Sequence, residues 1–256
     1  MYEHPYADMS LKEAIGLWTV KDQVVGAAIY DMYFGEAFLG VLPAYQQLFP
    51  AVLDYAYRAL RDDEGLAIAL CDGNHGEIEA SKAAGFTPED QTETIMERNL
   101  DEPLPVRLPE GFSITEMDPE RKGADIRAIQ WLFWQGFDHG DDVEAFEEDL
   151  RKTLEKGLRQ RKHFDPRLSL AAQDPSGELA AYCCLWYNKQ TDYAYVEPVC
   201  TVPAHRRKGL AKALLHEAMN RAAEMGAKKA YVISDQAFYR RLGFEETYHY
   251  RFFRKK

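Results

Sequence analysis

Residues 202–215 read Val202-Pro-Ala-His-Arg-Arg-Lys-Gly-Leu-Ala-Lys-Ala-Leu-Leu215, and this stretch decides the fold. Three cations, Arg206, Arg207 and Lys208, stand with Gly209 where a helix begins, in a chain whose formal net charge is -11. A helix start carries the positive end of the macrodipole, so basic residues there oppose it and need a reason. The first backbone N–H groups of a helix are also unpaired, and a glycine lets an anion come close to them. The stretch suits a diphosphate; the plain alternative is a basic first turn facing solvent. A P-loop does not fit, because no G-x-x-x-x-G-K-[ST] spacing occurs.

Outward from Gly209, the apolar positions Ala211, Leu214, Leu215, Ala218, Met219 and Ala222 recur at helical spacing and predict an amphipathic helix closing near Gly226. Before it, LSLAAQD from Leu168, then ELAAYCCLWY and YAYVEPVCTV, separated by turn residues, predict three antiparallel strands. After it, KAYVISD reads as a strand, QAFYRRLGF as a short helix ending at Gly243, and EETYHYRFF as a closing strand. Upstream, GFSITEMD at 111–118 is a strand, followed by two helices in DIRAIQWLFWQGF and DVEAFEEDLRKTLEKGLRQRKHF. The order is β-α-α-β-β-β-α-β-α-β, an α/β (α+β) pattern. The three prolines of DEPLPVRLPEG (101–111) mark an extended link, which places a boundary near 105 between segments 1–104 and 105–256.

The first segment repeats the second. Pro43-Ala44 lies on Pro203-Ala204 at an offset of 160, GLAIALCD matches KAYVISD, and ASKAAGF ending at Phe86 matches FYRRLGF ending at Phe244 at an offset of 158. At these offsets Gln46, Gln47 and Phe49 replace Arg206, Arg207 and Gly209, and Ser81 replaces Tyr239. The first copy is therefore expected to be shortened and non-catalytic.

Composition bounds the rest. With 46% hydrophobic residues the 256-residue chain can bury a large core, and it has no apolar run long enough to span a bilayer. The opening MYEHPYADMS is neither basic nor apolar, which predicts a cytoplasmic protein. Cys71, Cys183, Cys184 and Cys200 sit in strand-like text without ligand spacing, so neither disulfides nor a metal site is expected. The acidic balance argues against nucleic acid, and self-assembly into a homo-oligomer stays open.

Arg206-x-x-Gly209-x-Ala211, after EPVCTVP and before AFYRRLGF, resembles the GNAT superfamily of acyl-CoA-dependent N-acyltransferases. The resemblance covers 111–256 as a whole domain and 18–100 as a degenerate one. It implies two modules, each a mixed, mostly antiparallel twisted sheet flanked by helices. It further implies acetyl-CoA as co-substrate, gripped by the loop Arg206, Arg207, Lys208, Gly209, Leu210, Ala211 and Lys212. The backbone of Cys200, Thr201 and Val202 would pair with the pantetheine arm as an added strand does. Tyr239 stands where the family places the acid that protonates the leaving thiolate; a half-buried core tyrosine is the other reading.

An alkyl amine titrates near 10.4, so about one molecule in two thousand is neutral at pH 7 and a base helps. Glu197 is the candidate, because Pro198 beside it cannot donate to the sheet and opens it there; otherwise it is a surface carboxylate. Cys200 has no group to lower its pKa, so direct transfer is expected rather than an acyl-cysteine. In WQGFDHGDD, Trp134, Phe137, Asp138 and His139 could shape a pocket for a small-molecule primary amine, with Asp141 and Asp142 also attracting the cation; the other reading of Asp141 and Asp142 is helix caps. A non-catalytic acyl-CoA sensor or assembly module, and a transferase for a different acyl group, are the rival readings.

Overall fold

The computed structural model describes residues 9–118, 125–156 and 164–256. In chain order it contains β1 (Gly16–Val20), β2 (Gln23–Tyr30), β3 (Glu36–Val41), α1 (Phe49–Ala59), β4 (Leu66–Cys71), α2 (His75–Ala83), β5 (Thr87–Asn99), β6 (Ser113–Glu116), α3 (Ile126–Gly136), α4 (Val143–Lys156), β7 (Ser169–Gln173), β8 (Leu179–Tyr187), β9 (Tyr193–Thr201), α5 (Leu210–Glu224), β10 (Lys229–Ile233), α6 (Ala237–Arg241) and β11 (Glu245–Lys255). From β6 onward this is the expected order. The expected continuation of α4 through 157–163 lies outside the described residues.

The chain forms two compact units, Met1–Ile95 with Glu246–Lys256, and Met96–Glu245. The division is therefore not the consecutive split at 104/105. Strand β11 joins the first unit because it pairs antiparallel with β4, Phe253 opposite Ile68, and the end of β5 from Met96 joins the second. Met96 is fully buried in the second unit's core, and Leu100 N–H donates to Lys228 O at 2.9 Å.

In the first unit β2 pairs antiparallel with β1 and β3, and β3 runs parallel to β4. Helix α1 lays Phe49, Val52, Leu53 and Ala56 onto Tyr30, Ile68 and Phe253.

In the second unit the strand order is β10-β9-β8-β7-β6, antiparallel except for the parallel β9–β10 pair. Alternation divides the side chains between two faces. Leu170, Cys183, Leu185 and Val196 meet Leu210, Leu214, Leu215 and Met219 of α5, whereas Ala171, Tyr182, Cys184 and Cys200 meet Leu132 of α3. Asp125 caps α3 by accepting from Ala128 N–H at 2.9 Å, and Asp142 caps α4 by accepting from Glu144 and Ala145 N–H, each at 3.0 Å.

The segments matched in the sequence share some hydrogen bonds. Tyr45 N–H donates to Leu42 O as His205 N–H does to Val202 O, and Phe86 N–H donates to Ser81 O as Phe244 N–H does to Tyr239 O. Gly85 and Gly243 both take positive φ, +92° and +79°. The copies part before the long helix: Phe49 is right-handed helical, whereas Gly209 opposite it is left-handed.

Candidate active site

Strand β9 pairs with β10 only through Tyr193, Ala194 and Tyr195, opposite Lys229, Ala230 and Tyr231. Beyond Tyr195 the two strands part, and one edge of β9 is left without a neighbour among the described residues. On its other edge β9 stays on β8, but the register shifts between Cys183↔Val199 and Leu185↔Val196, so Cys184 faces both Glu197 and Pro198. Pro198 has no N–H to give the ladder, and such a position favours a bulge. Trp186 Nε1 donates to Glu197 O at 2.8 Å and fastens it.

Past the bulge, Val202 N–H donates to Ala180 O at 3.0 Å. Antiparallel alternation then turns the main chain of Cys200 and Val202 toward β8, and that of Val199 and Thr201 to the open edge. This corrects the expectation that Cys200, Thr201 and Val202 together offer their backbone. Thr201 is placed to do so, Val199 was missed, and Cys200 and Val202 face inward, since a one-residue bulge sets the parity.

The chain then makes a 3-10 turn at Pro203–His205, and Arg207 and Gly209 adopt left-handed backbone, φ +65° and +86°. The first hydrogen bond of α5 runs from Ala213 N–H to Gly209 O at 3.0 Å. The amides of Leu210, Ala211 and Lys212 thus precede any helical carbonyl they could donate to. Alternating left-handed residues before such a terminus form a concave anion-binding nest. A Cβ built on Gly209 meets nothing within 4 Å, so space for a ligand lies against the backbone there.

The cations divide. Arg206 Nε donates to Thr201 O at 3.0 Å, and its Nη2 donates to Gly136 O at 3.3 Å and to Asp138 Oδ1 at 2.7 Å. Its side chain is therefore engaged by three acceptors of this chain. Lys208 Nζ lies 3.1 Å from His205 Nδ1 and 5.9 Å from the Phe112 ring centroid. Arg207 and Lys212 are exposed and have no side-chain partner among the described residues. They remain available.

Tyr239 on α6 is 8% exposed, its ring packed edge-on between Phe238 and Phe244. Burial, with Cys183 and Glu197 adding like charge, holds its hydroxyl protonated well above the usual range. The Cys200 thiol is pushed up to about 12, chiefly by burial. A neutral thiol is a poor nucleophile, in keeping with direct transfer.

The residues expected at the acceptor pocket are mostly engaged. Trp134 stacks on His139 at 4.8 Å and meets Phe146 of α4 edge-on. Asp138, also expected there, pairs with Arg206 at 2.7 Å. Phe137 is 47% exposed and stays open to a ligand. A shallow apolar hollow in the first unit, among Leu53, Tyr57, Ala84, Phe86 and Lys255, contains none of the site residues. Among the described residues no His, Cys, Asp and Glu group is arranged to hold a metal, and no helix is long and apolar enough to cross a membrane.

A parted strand pair and a bulge thus lead into an amide nest before a helix. Residues 124–244 match the model of the Acetyltransferase (GNAT) family. No curated protein matches the sequence. Among solved structures, a GCN5-related N-acetyltransferase from Sphaerobacter thermophilus matches with TM-score 0.64 at 18% identity, over 94% of this chain and 80% of that one. A tandem GNAT protein from the clavulanic acid biosynthesis pathway matches with TM-score 0.63 at 18% identity, over 94% and 82%. A GCN5-related N-acetyltransferase from Kribbella flavida matches with TM-score 0.57 at 17% identity, over 96% and 91%. These likenesses concern the fold.

Proposed function

We propose that the protein transfers an acetyl group from acetyl-CoA directly to a primary amine of a small molecule, in the cytoplasm. The observation that carries this reading is the open edge of β9 running into the amide nest at 207–212. The nest suits the coenzyme diphosphate, with Arg207 and Lys212 adding charge, and Val199 and Thr201 suit the pantetheine arm. Acetyl-CoA supplies an activated thioester when bound.

Glu197, at the bulge where the strands part, accepts the proton of the attacking amine, directly or through a water. Tyr239 donates its hydroxyl proton toward the leaving sulfur. Its raised pKa keeps that proton in place at every working pH, so the rate should show no alkaline fall from Tyr239 below pH about 10. Segment 1–104 is the non-catalytic copy: Ser81, fully buried, stands in place of Tyr239, and Phe49 is helical where the nest has Gly209.

The test is thiol release from acetyl-CoA against polyamines, amino sugars and amino acids, with Tyr239→Phe and Glu197→Gln beside wild type. Each variant should lose about 100-fold in kcat, with the Kd of coenzyme A within about 3-fold. Tight coenzyme A binding without turnover of any amine would favour the sensor. A Tyr239→Phe enzyme as fast as wild type would remove the tyrosine from the reaction.

A further inference from the structure

The geometry points to Arg206 and Asp138 as a positioning pair that ties the loop after α3 to the end of β9, rather than as ligands of donor and acceptor. The inference rests on the acyl-transfer reading for what it positions. Arg206 lies 68 residues from Asp138 in sequence, yet one guanidinium bonds Thr201 O, Gly136 O and the Asp138 carboxylate at 3.0, 3.3 and 2.7 Å. These acceptors belong to the strand that would face the coenzyme, to the last turn of α3, and to the loop that follows it.

A second observation shows that this junction is built to close tolerance. A Cβ placed on Gly136 would lie 2.6 Å from Cys200 Sγ and 2.9 Å from Cys200 Cβ, so only glycine lets α3 end against β9. Two residues on, Asp138 takes a left-handed backbone, φ +62°, which turns the chain out of α3 beside Arg206. Arg and Asp side chains here are 39% and 66% exposed, and an exposed ion pair alone contributes little. The planar fork adds the two carbonyls, and that fixes direction.

Two consequences follow for the reaction. Arg206 occupies the outward carbonyl of Thr201, so an arm pairing along β9 finds Val199 and the Thr201 N–H but not that carbonyl. Arg206 is thus the end-stop of the open edge. The same side chain holds Phe137 to His139 in place, so the acceptor side and the donor strand share one anchor.

The test compares Arg206→Ala and Asp138→Ala with wild type by three readouts. Amide hydrogen exchange follows Phe137, Asp138 and His139, whose N–H groups bond Phe133, Gln135 and Trp134 carbonyls. Exchange should quicken by about 10-fold in both variants as the local structure opens more often. Calorimetric titration with coenzyme A should give a Kd within about 3-fold of wild type, and the amine KM should rise about 10-fold with kcat within about 3-fold. Unchanged exchange, an unchanged amine KM, or a coenzyme A Kd weakened about 10-fold in Arg206→Ala each overturns the assignment. If wild type turns over no amine, the acyl-transfer reading fails, while exchange and titration still decide what Arg206 does.

Discussion

Cys200 shows how one residue's surroundings choose between mechanisms. Its thiol sits against Leu132, Tyr182 and Cys184, and burial lifts its pKa from 9.0 to about 12 despite nearby Arg206. Below 9.0 the thiol is protonated folded and unfolded alike, and its contribution to stability is fully present. Between 9.0 and about 12 the unfolded chain ionises first, binds fewer protons, and stability falls. The slope is about 1.4 kcal/mol per pH unit for one such thiol. Urea denaturation from pH 8 to 10.5 should show a steeper decline above pH about 9 in wild type than in Cys200→Ala. Equal slopes would mean that the thiol reaches water, and the case against an acyl-cysteine would weaken.

At the scale of elements, the site is made by where strands stop pairing. The one-residue bulge at Glu197–Pro198 and the parting of β9 from β10 after Tyr195 expose an edge, and the end of α3 braces the far side of the same strand. Gly136→Ala should therefore cost about 1–3 kcal/mol, read by chemical denaturation, because the added methyl meets Cys200. A change within about 0.3 kcal/mol would show that α3 does not abut β9. The elements themselves were legible: the helical spacing of Leu214, Leu215 and Met219 and the turn-punctuated strands of 168–201 reproduce α5 and β7 to β9. The edge was legible only in part. Pro198 announced an opening, but which amides turn outward depends on register with Ala180, and the partner of Arg206 lies 68 residues away. No local pattern carries either.

For the whole molecule, the likeness of Pro43-Ala44 and Ala80-to-Phe86 to later text was readable, while the unit that β11 joins was not. Alternation in EETYHYRFF says that it is a strand, not which strand it joins. Because β11 pairs with β4 and Met96 completes the second core, a fragment of residues 105–256 would carry an unpaired β11 and lack Met96 and Leu100. Expressed alone, it should fail to unfold cooperatively and should bind no coenzyme A. A soluble, fully active fragment would show that the second repeat supports itself.

The central claim concerns the amides around Gly209, and two-dimensional NMR reads them directly. On adding coenzyme A, the resonances of Arg207 to Lys212, with Val199 and Thr201, should move together and saturate at one Kd. Shifts confined to other residues, with these amides still, would contradict the account.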